Sequence, residues 1–101
     1  MQIVHSKEKQ KITVCLKGEI DHHNCALIRG KIDEVIEREK GRTLVLDFSE
    51  VTFMDSSGIG IVMGRYKKML SLGGRVAVEG AGGSIKKIFV LSGLDRIVDI
   101  N

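Results

Sequence analysis

The hydrophobic period of this chain switches repeatedly between two residues and about 3.6, the periods of a strand and of a helix, and few architectures accommodate that switching. Residues 11–17 alternate, with Ile12, Val14 and Leu16 on one face and Thr13, Cys15 and Lys17 on the other. The pattern returns at Leu44, Leu46 and Phe48 against Thr43, Val45 and Asp47, then at Val76 and Val78 against Arg75, Ala77 and Glu79. Each reads as a strand with one buried face. Shorter strands are predicted at 2–5 and 96–100. Between them, Ile28, Ile32, Val35 and Ile36 form one helical stripe, which Gly41 can close with a left-handed cap. Glu34 and Arg38 are placed for an i,i+4 pair on its outer face. Val62, Tyr66, Met69 and Leu70 repeat that stripe up to Gly73-Gly74. A third, shorter helix is predicted to start at Ser84 as N-cap, with Ile85, Ile88 and Phe89 inward and Gly93 at its end.

The predicted order is therefore β-β-α-β-α-β-α-β. A short polar turn at 6–10 makes the first two strands antiparallel, and helical crossovers make the later strands parallel. Right-handed crossovers that always step the same way place the helices mainly on one face. The strands agree, because a sheet covered on both faces reads as continuous apolar runs. The expected fold is α/β, a mixed sheet of about five strands with one partly open face. Its 101 residues suit a single domain spanning 1–101.

Composition narrows the function. No apolar run approaches the roughly 20 residues that span a bilayer, and Met1-Gln2-Ile3-Val4-His5 lacks the layout of a signal peptide. Neither membrane insertion nor export is expected. The net charge is +3 with acids mixed among the bases, and only three Phe and one Tyr are available to stack on bases. Nucleic acid is thus not an expected partner. Cys15 and Cys25 form no C-x-x-C and read as reduced thiols of a cytoplasmic protein.

In open parallel sheets, function gathers where strands end and helices begin. Two such loops should face each other, one running from Gly18 through Asp21, His22 and His23 to Asn24, the other from Met54 to Gly60. Asp55, Ser56 and Ser57 directly precede a helical stripe, where small polar side chains cap unpaired N–H groups. Tandem serines exceed what one cap needs, and Gly58 and Gly60 sit in the first turn, where glycine is costly. Those glycines either admit another backbone or, with Gly64, pack the helix on the sheet. Competing motifs fail. There is no G-x-x-x-x-G-K-[ST], and Gly80-Ala81-Gly82-Gly83 does not extend to G-x-G-x-x-G. Ser84-Ile85-Lys86-Lys87 matches S-x-x-K without its companion motifs, and no G-x-S-x-G elbow carries Ser56. His22-His23 lack a third ligand, so no metal site is expected.

Taken together, Gly18-Glu19-Ile20-Asp21-His22-His23, Phe53-Met54-Asp55-Ser56-Ser57-Gly58-Ile59-Gly60, Gly64-Arg65-Tyr66-Lys67, Ile88-Phe89 and Leu91-Ser92-Gly93-Leu94 resemble the anti-sigma factor antagonist family, the bacterial group of the STAS domain. The likeness runs in order along nearly the whole chain. His-His and Gly-Arg-Tyr-Lys are most similar to its sporulation branch, the antagonists of anti-sigma-F factors.

The resemblance implies a mixed sheet with helices on one face and a switch at Ser56. It implies that the anti-sigma factor is itself a serine kinase, that unphosphorylated antagonist binds it in its nucleotide-bound state and frees the sigma factor, and that a phosphatase resets Ser56. This chain would then be the phosphate acceptor, with no catalytic residue and no cofactor. Asp21, His22, Asp55, Ser57, Gly58 and Ile59 are the implied partner contacts. The same switch serving general stress signalling is the alternative. Family members usually continue into a further C-terminal helix, whereas these residues stop at Asn101; either the chain is trimmed there or this member lacks the helix, and without it the last strand or its neighbouring helix is expected to be less covered. Phosphate at a helix N-terminus meets N–H groups and the positive dipole end, whereas Asp55 repels it. The expected effect is repulsion and bulk at an interface, without refolding. Ser57 is the candidate to supply the cap while Ser56 carries the phosphate.

Overall fold

The computed structural model describes residues 1–101. Five strands, Gln2–Glu8 (β1), Lys11–Ile20 (β2), Thr43–Met54 (β3), Arg75–Glu79 (β4) and Asp99–Ile100 (β5), form one sheet whose spatial order follows the chain. β1 pairs antiparallel with β2, and every later pairing is parallel. Helices Cys25–Glu39 (α1), Ser57–Ser71 (α2) and Gly83–Leu91 (α3) make the crossovers. This is the mixed α/β sheet that the alternation predicts.

The core lies between the helices and one sheet face. Ile12, Val14 and Leu16 of β2, Leu44, Leu46 and Phe48 of β3, and Val76 and Val78 of β4 are buried there. They meet Ile28, Ile32, Val35 and Ile36 of α1 and Ile61, Val62 and Met69 of α2. Phe89 of α3 stands edge-on to Phe48, with ring centroids 5.4 Å apart. The opposite sheet face carries Thr13, Cys15, Thr43, Asp47, Arg75 and Glu79, and is open to solvent. Val45 is buried even on that face, between its cross-strand neighbours Thr13 and Ala77. Arg65 reaches from α2 to Asp33 of α1 with Nε 3.0 Å from the carboxylate, and Lys68 bridges Asp33 (3.9 Å) and Glu37 (3.0 Å).

Several local expectations are corrected. β1 extends to Glu8, so the 6–10 turn shrinks to Lys9 and Gln10, because Ser6 and Glu8 continue the ladder opposite Thr13 and Lys11. Lys40, not Gly41, takes the left-handed conformation after α1, with φ 54°. Leu70 is 58% exposed, because the buried stripe of α2 runs through Gly58, Ile61, Val62, Arg65 and Met69. Ser84 caps nothing, since α3 begins one residue earlier after Gly82. Glu34 and Arg38 form none of the molecule's ion pairs. The 96–100 strand reduces to β5, because Leu94–Arg96 form a 3-10 turn that buries Leu94. Val90, Leu91 and Ile97, around that turn, are 47%, 76% and 45% exposed.

Candidate functional site

β2 and β3 are parallel neighbours, so the loops that leave their carboxyl ends lie side by side. β3 carries irregularities opposite Cys15–Lys17 and Gly18–Glu19, yet the two strands are back in step at Ile20 and Met54. The Asp55 N–H then donates to the Ile20 carbonyl at 3.1 Å, drawing the second loop onto the first.

Asp55 organises the site. Its Oδ1 accepts the Ser57 N–H at 2.8 Å, and its Oδ2 accepts the His22 N–H at 3.3 Å. One carboxylate therefore caps α2 and staples both loops together. The Ser57 N–H and then the Ser57 side chain, followed by the His22 N–H and ring, hold Asp55 below the ordinary carboxylate range. His22 Nδ1 is 3.9 Å from Asp55 Oδ2. Its side chain is 73% exposed and its ring lies against that of His23, centroids 4.0 Å apart. Asp21 structures its own loop: Oδ1 accepts the N–H groups of His23 (2.9 Å) and Asn24 (3.1 Å). Asn24 returns a bond to the Asp21 N–H at 3.0 Å and ties its amide to the Glu19 carbonyl at 2.8 Å.

Ser56 is exposed at the start of α2, and its hydroxyl makes no capping bond. Ser57 is half-buried, and its role differs from the one expected of it: its N–H is capped by Asp55, and its hydroxyl caps nothing. Three first-turn N–H groups are engaged within the chain, Ser57 by the Asp55 carboxylate, Gly58 by the Asp55 carbonyl and Ile59 by the Ser56 carbonyl. Gly58 is buried, and a Cβ there would stand 2.2 Å from Met54 Sδ. It seats the helix closely on Met54. Gly60 and Gly64 would carry a Cβ into open space, so neither packs α2 on the sheet. Ile59 is half-buried against the core.

Sequence reasoning brings together Asp21, His22, Asp55, Ser56 and Ser57, and the structure places all five at this end of the sheet. Leu27, which sequence reasoning did not single out, lies in the first turn of α1 and is 60% exposed. The available signal was an apolar residue off the inward stripe. No group of three metal-ligating side chains occurs here or elsewhere, and no helix is long and apolar enough to cross a membrane.

The arrangement matches known proteins along the whole chain. The STAS domain family model matches residues 4–101. The anti-sigma F factor antagonist of Paenibacillus polymyxa is 36% identical over 99% of this chain and 86% of its own length. The anti-sigma-B factor antagonist of Bacillus subtilis (strain 168) is 30% identical over 94% of this chain and 85% of its own. Among solved structures, the anti-sigma factor antagonist SpoIIAA in its unphosphorylated form superposes with a TM-score of 0.82 at 30% identity, covering 99% of this chain and 88% of that one. The phosphorylated form of SpoIIAA from Bacillus gives 0.74 at 30% identity, covering 99% and 91%. These relatives are named for antagonising another protein, not for catalysis. By sequence and by architecture alike, the chain belongs to the STAS domain family and groups with its anti-sigma factor antagonists.

Proposed function

We propose that this chain is an anti-anti-sigma factor whose state is written on Ser56. Unphosphorylated, it binds an anti-sigma factor that is a nucleotide-bound serine kinase, and the sigma factor is freed. Phosphorylation of Ser56 inactivates it, and a phosphatase restores it, all in the cytoplasm where ATP is available. One observation carries this reading: Ser56 presents an exposed hydroxyl without a capping bond, while the neighbouring Asp55 does the capping. A kinase can therefore take the serine without dismantling the helix start. His22 and Ile59, with the exposed Leu27 in the first turn of α1, are the contact groups in this reading, with Asp55 and Asp21 holding the two loops in shape and Ser57 beside them.

The same geometry supports inactivation by repulsion. A phosphate adds about −1.5 to −2 charges. At Ser56 it would adjoin an ionised Asp55, and three first-turn N–H groups are already occupied. The added charge therefore points outward, against whatever a partner brings. The relative named for anti-sigma-B factor supports the second reading, the same switch in general stress signalling.

Incubation with candidate anti-sigma kinases and ATP, followed by mass mapping, tests both readings. Phosphate on Ser56 with release of sigma factor is expected, and the kinase that does this distinguishes sporulation from stress. Ser56→Ala should still capture the kinase yet never be released by ATP, and Ser56→Asp should bind poorly. Phosphate on another residue, or unchanged affinity of Ser56→Asp by calorimetry, would overturn the switch.

A further inference from the structure

At the end of the sheet opposite Ser56, three turns are locked together through their backbones. The Gln10 carbonyl accepts the N–H groups of Arg42 (2.8 Å) and Thr43 (3.0 Å), and the Arg42 carbonyl accepts that of Arg75 (2.9 Å). Two glycines permit this approach. A Cβ on Gly41 would stand 2.7 Å from the Gln10 carbonyl oxygen, and one on Gly74 2.4 Å from that of Arg42. The turns form one platform and not three independent loops.

Five cations belong to it: Lys9, Lys11, Lys40, Arg42 and Arg75. All are exposed, and none takes part in the molecule's ion pairs, in contrast to Lys17, Arg65 and Lys68 elsewhere. Of the acids at the end of α1, Glu39 stands 3.9 Å from His5 Nε2 and Glu37 is held by Lys68 at 3.0 Å. Lys11, Thr43 and Arg75 are cross-strand neighbours, and the Arg75 Nε–H donates to Thr43 Oγ1 at 3.4 Å. Arg42, Thr43, Gly73, Gly74 and Arg75 line a cleft of about 350 Å³ that holds two guanidinium groups and no acid. A second, independent observation concerns the backbone. Lys9 (φ 56°) and Lys40 (φ 54°) are the only non-glycine residues with positive φ, and both sit on this platform. That conformation is costly for a residue with a Cβ, and glycine adopts it freely. Lysine at both positions suggests that the charge is what these turns retain.

We propose that this platform is a docking surface for an acidic segment of a partner protein, a stretch of chain bearing several Asp or Glu carboxylates. Arginine pairs bidentately with a carboxylate, and two arginines flank the cleft. The acids nearby favour a peptide over a continuous phosphate array. Glu8 is the register partner of Lys11, and Glu79 and Asp99 lie farther along the same open face. A peptide can set carboxylates on the cations and neutral groups on the acids, whereas nucleic acid or an anionic membrane surface presents charge everywhere. The platform and Ser56 lie at opposite ends of the strands, so both can be occupied at once. The proposal does not depend on the Ser56 switch.

The test uses the full chain at about 0.15 M salt, where exposed charges more than a Debye length apart are screened. The probe is a synthetic peptide of glutamates interspersed with serine, followed by calorimetry and by amide spectra. Saturable shifts confined to the three turns are expected. Arg42→Gln combined with Arg75→Gln should weaken binding roughly tenfold or more, while Lys86→Gln with Lys87→Gln leaves it unchanged. Thermal unfolding of each variant confirms that it is folded. Three results would overturn the proposal: shifts absent or located elsewhere, equal weakening by the Lys86 and Lys87 pair, or tighter binding to phosphatidylglycerol vesicles or duplex DNA than to the peptide.

Discussion

Asp55 does two jobs with one carboxylate, and both depend on its charge. A hydrogen bond from a backbone N–H is stronger when the acceptor is ionised, and the Ser57 and His22 N–H groups together keep this acid ionised below its ordinary range. The pH dependence follows from that direction. A depressed folded pKa adds stability above the unfolded value of about 3.9, and this is lost as pH falls through the lower folded value. Asp55→Asn should therefore destabilise the chain at pH 7, and the difference from wild type should fade on acidification below about pH 4. Urea unfolding at both pH values measures it, and a gap that persists undiminished in acid would exclude the electrostatic role. Composition and spacing did mark Asp55, Ser56 and Ser57 as the helix entry. Which of the three would cap was not legible, because all are good caps. Only the pairing of β2 with β3, which brings the Asp55 N–H onto the Ile20 carbonyl, selects the residue able to reach both Ser57 and His22.

In α2 the three glycines look equivalent in sequence and are not equivalent in space. Gly58 faces Met54 at distances no Cβ can keep, whereas Gly60 and Gly64 face open space at ordinary φ. Gly58→Ala should cost about 1–3 kcal/mol by overpacking. Gly60→Ala and Gly64→Ala should each stabilise by about 0.5–1 kcal/mol, because alanine loses less backbone freedom on folding. Thermal melts of the three single variants test the signs, and stabilisation by Gly58→Ala would refute the packing. The inward stripes of α1 and the alternation of β2 were legible because nearly every buried position there is aliphatic. α2 was harder to read. Its stripe includes a buried arginine, Arg65, whose burial depends on Asp33 of another helix, and hydropathy placed Leu70 inward in its stead. β5 was overestimated for a related reason. Val98 and Ile100 alternate like a strand, but Leu94 turns the chain inward first.

For the molecule as a whole, one-sided alternation correctly predicted a sheet with helices on one face, since hydrophobic period and coverage are the same information. It could not predict that Val45 would be buried on the open side, because that burial depends on a central position between two other strands, opposite Thr13 and Ala77. Phe89, wholly buried against Phe48, joins α3 to the sheet, so Phe89→Ala should cost about 3–5 kcal/mol in denaturant unfolding. A loss well below 1 kcal/mol would mean that α3 contributes little to the core. The spatial order of the strands carries a kinetic consequence. Each strand lies beside the one synthesised before it, and no later strand must be threaded between two earlier ones. The sheet can therefore grow in one direction, each new edge serving as template for the next segment. With no proline in the chain, refolding should also lack the slow phase of tens of seconds that prolyl isomerisation imposes. Stopped-flow refolding should finish in a single fast phase, so that a chain leaving the ribosome completes its fold about as quickly as it is made.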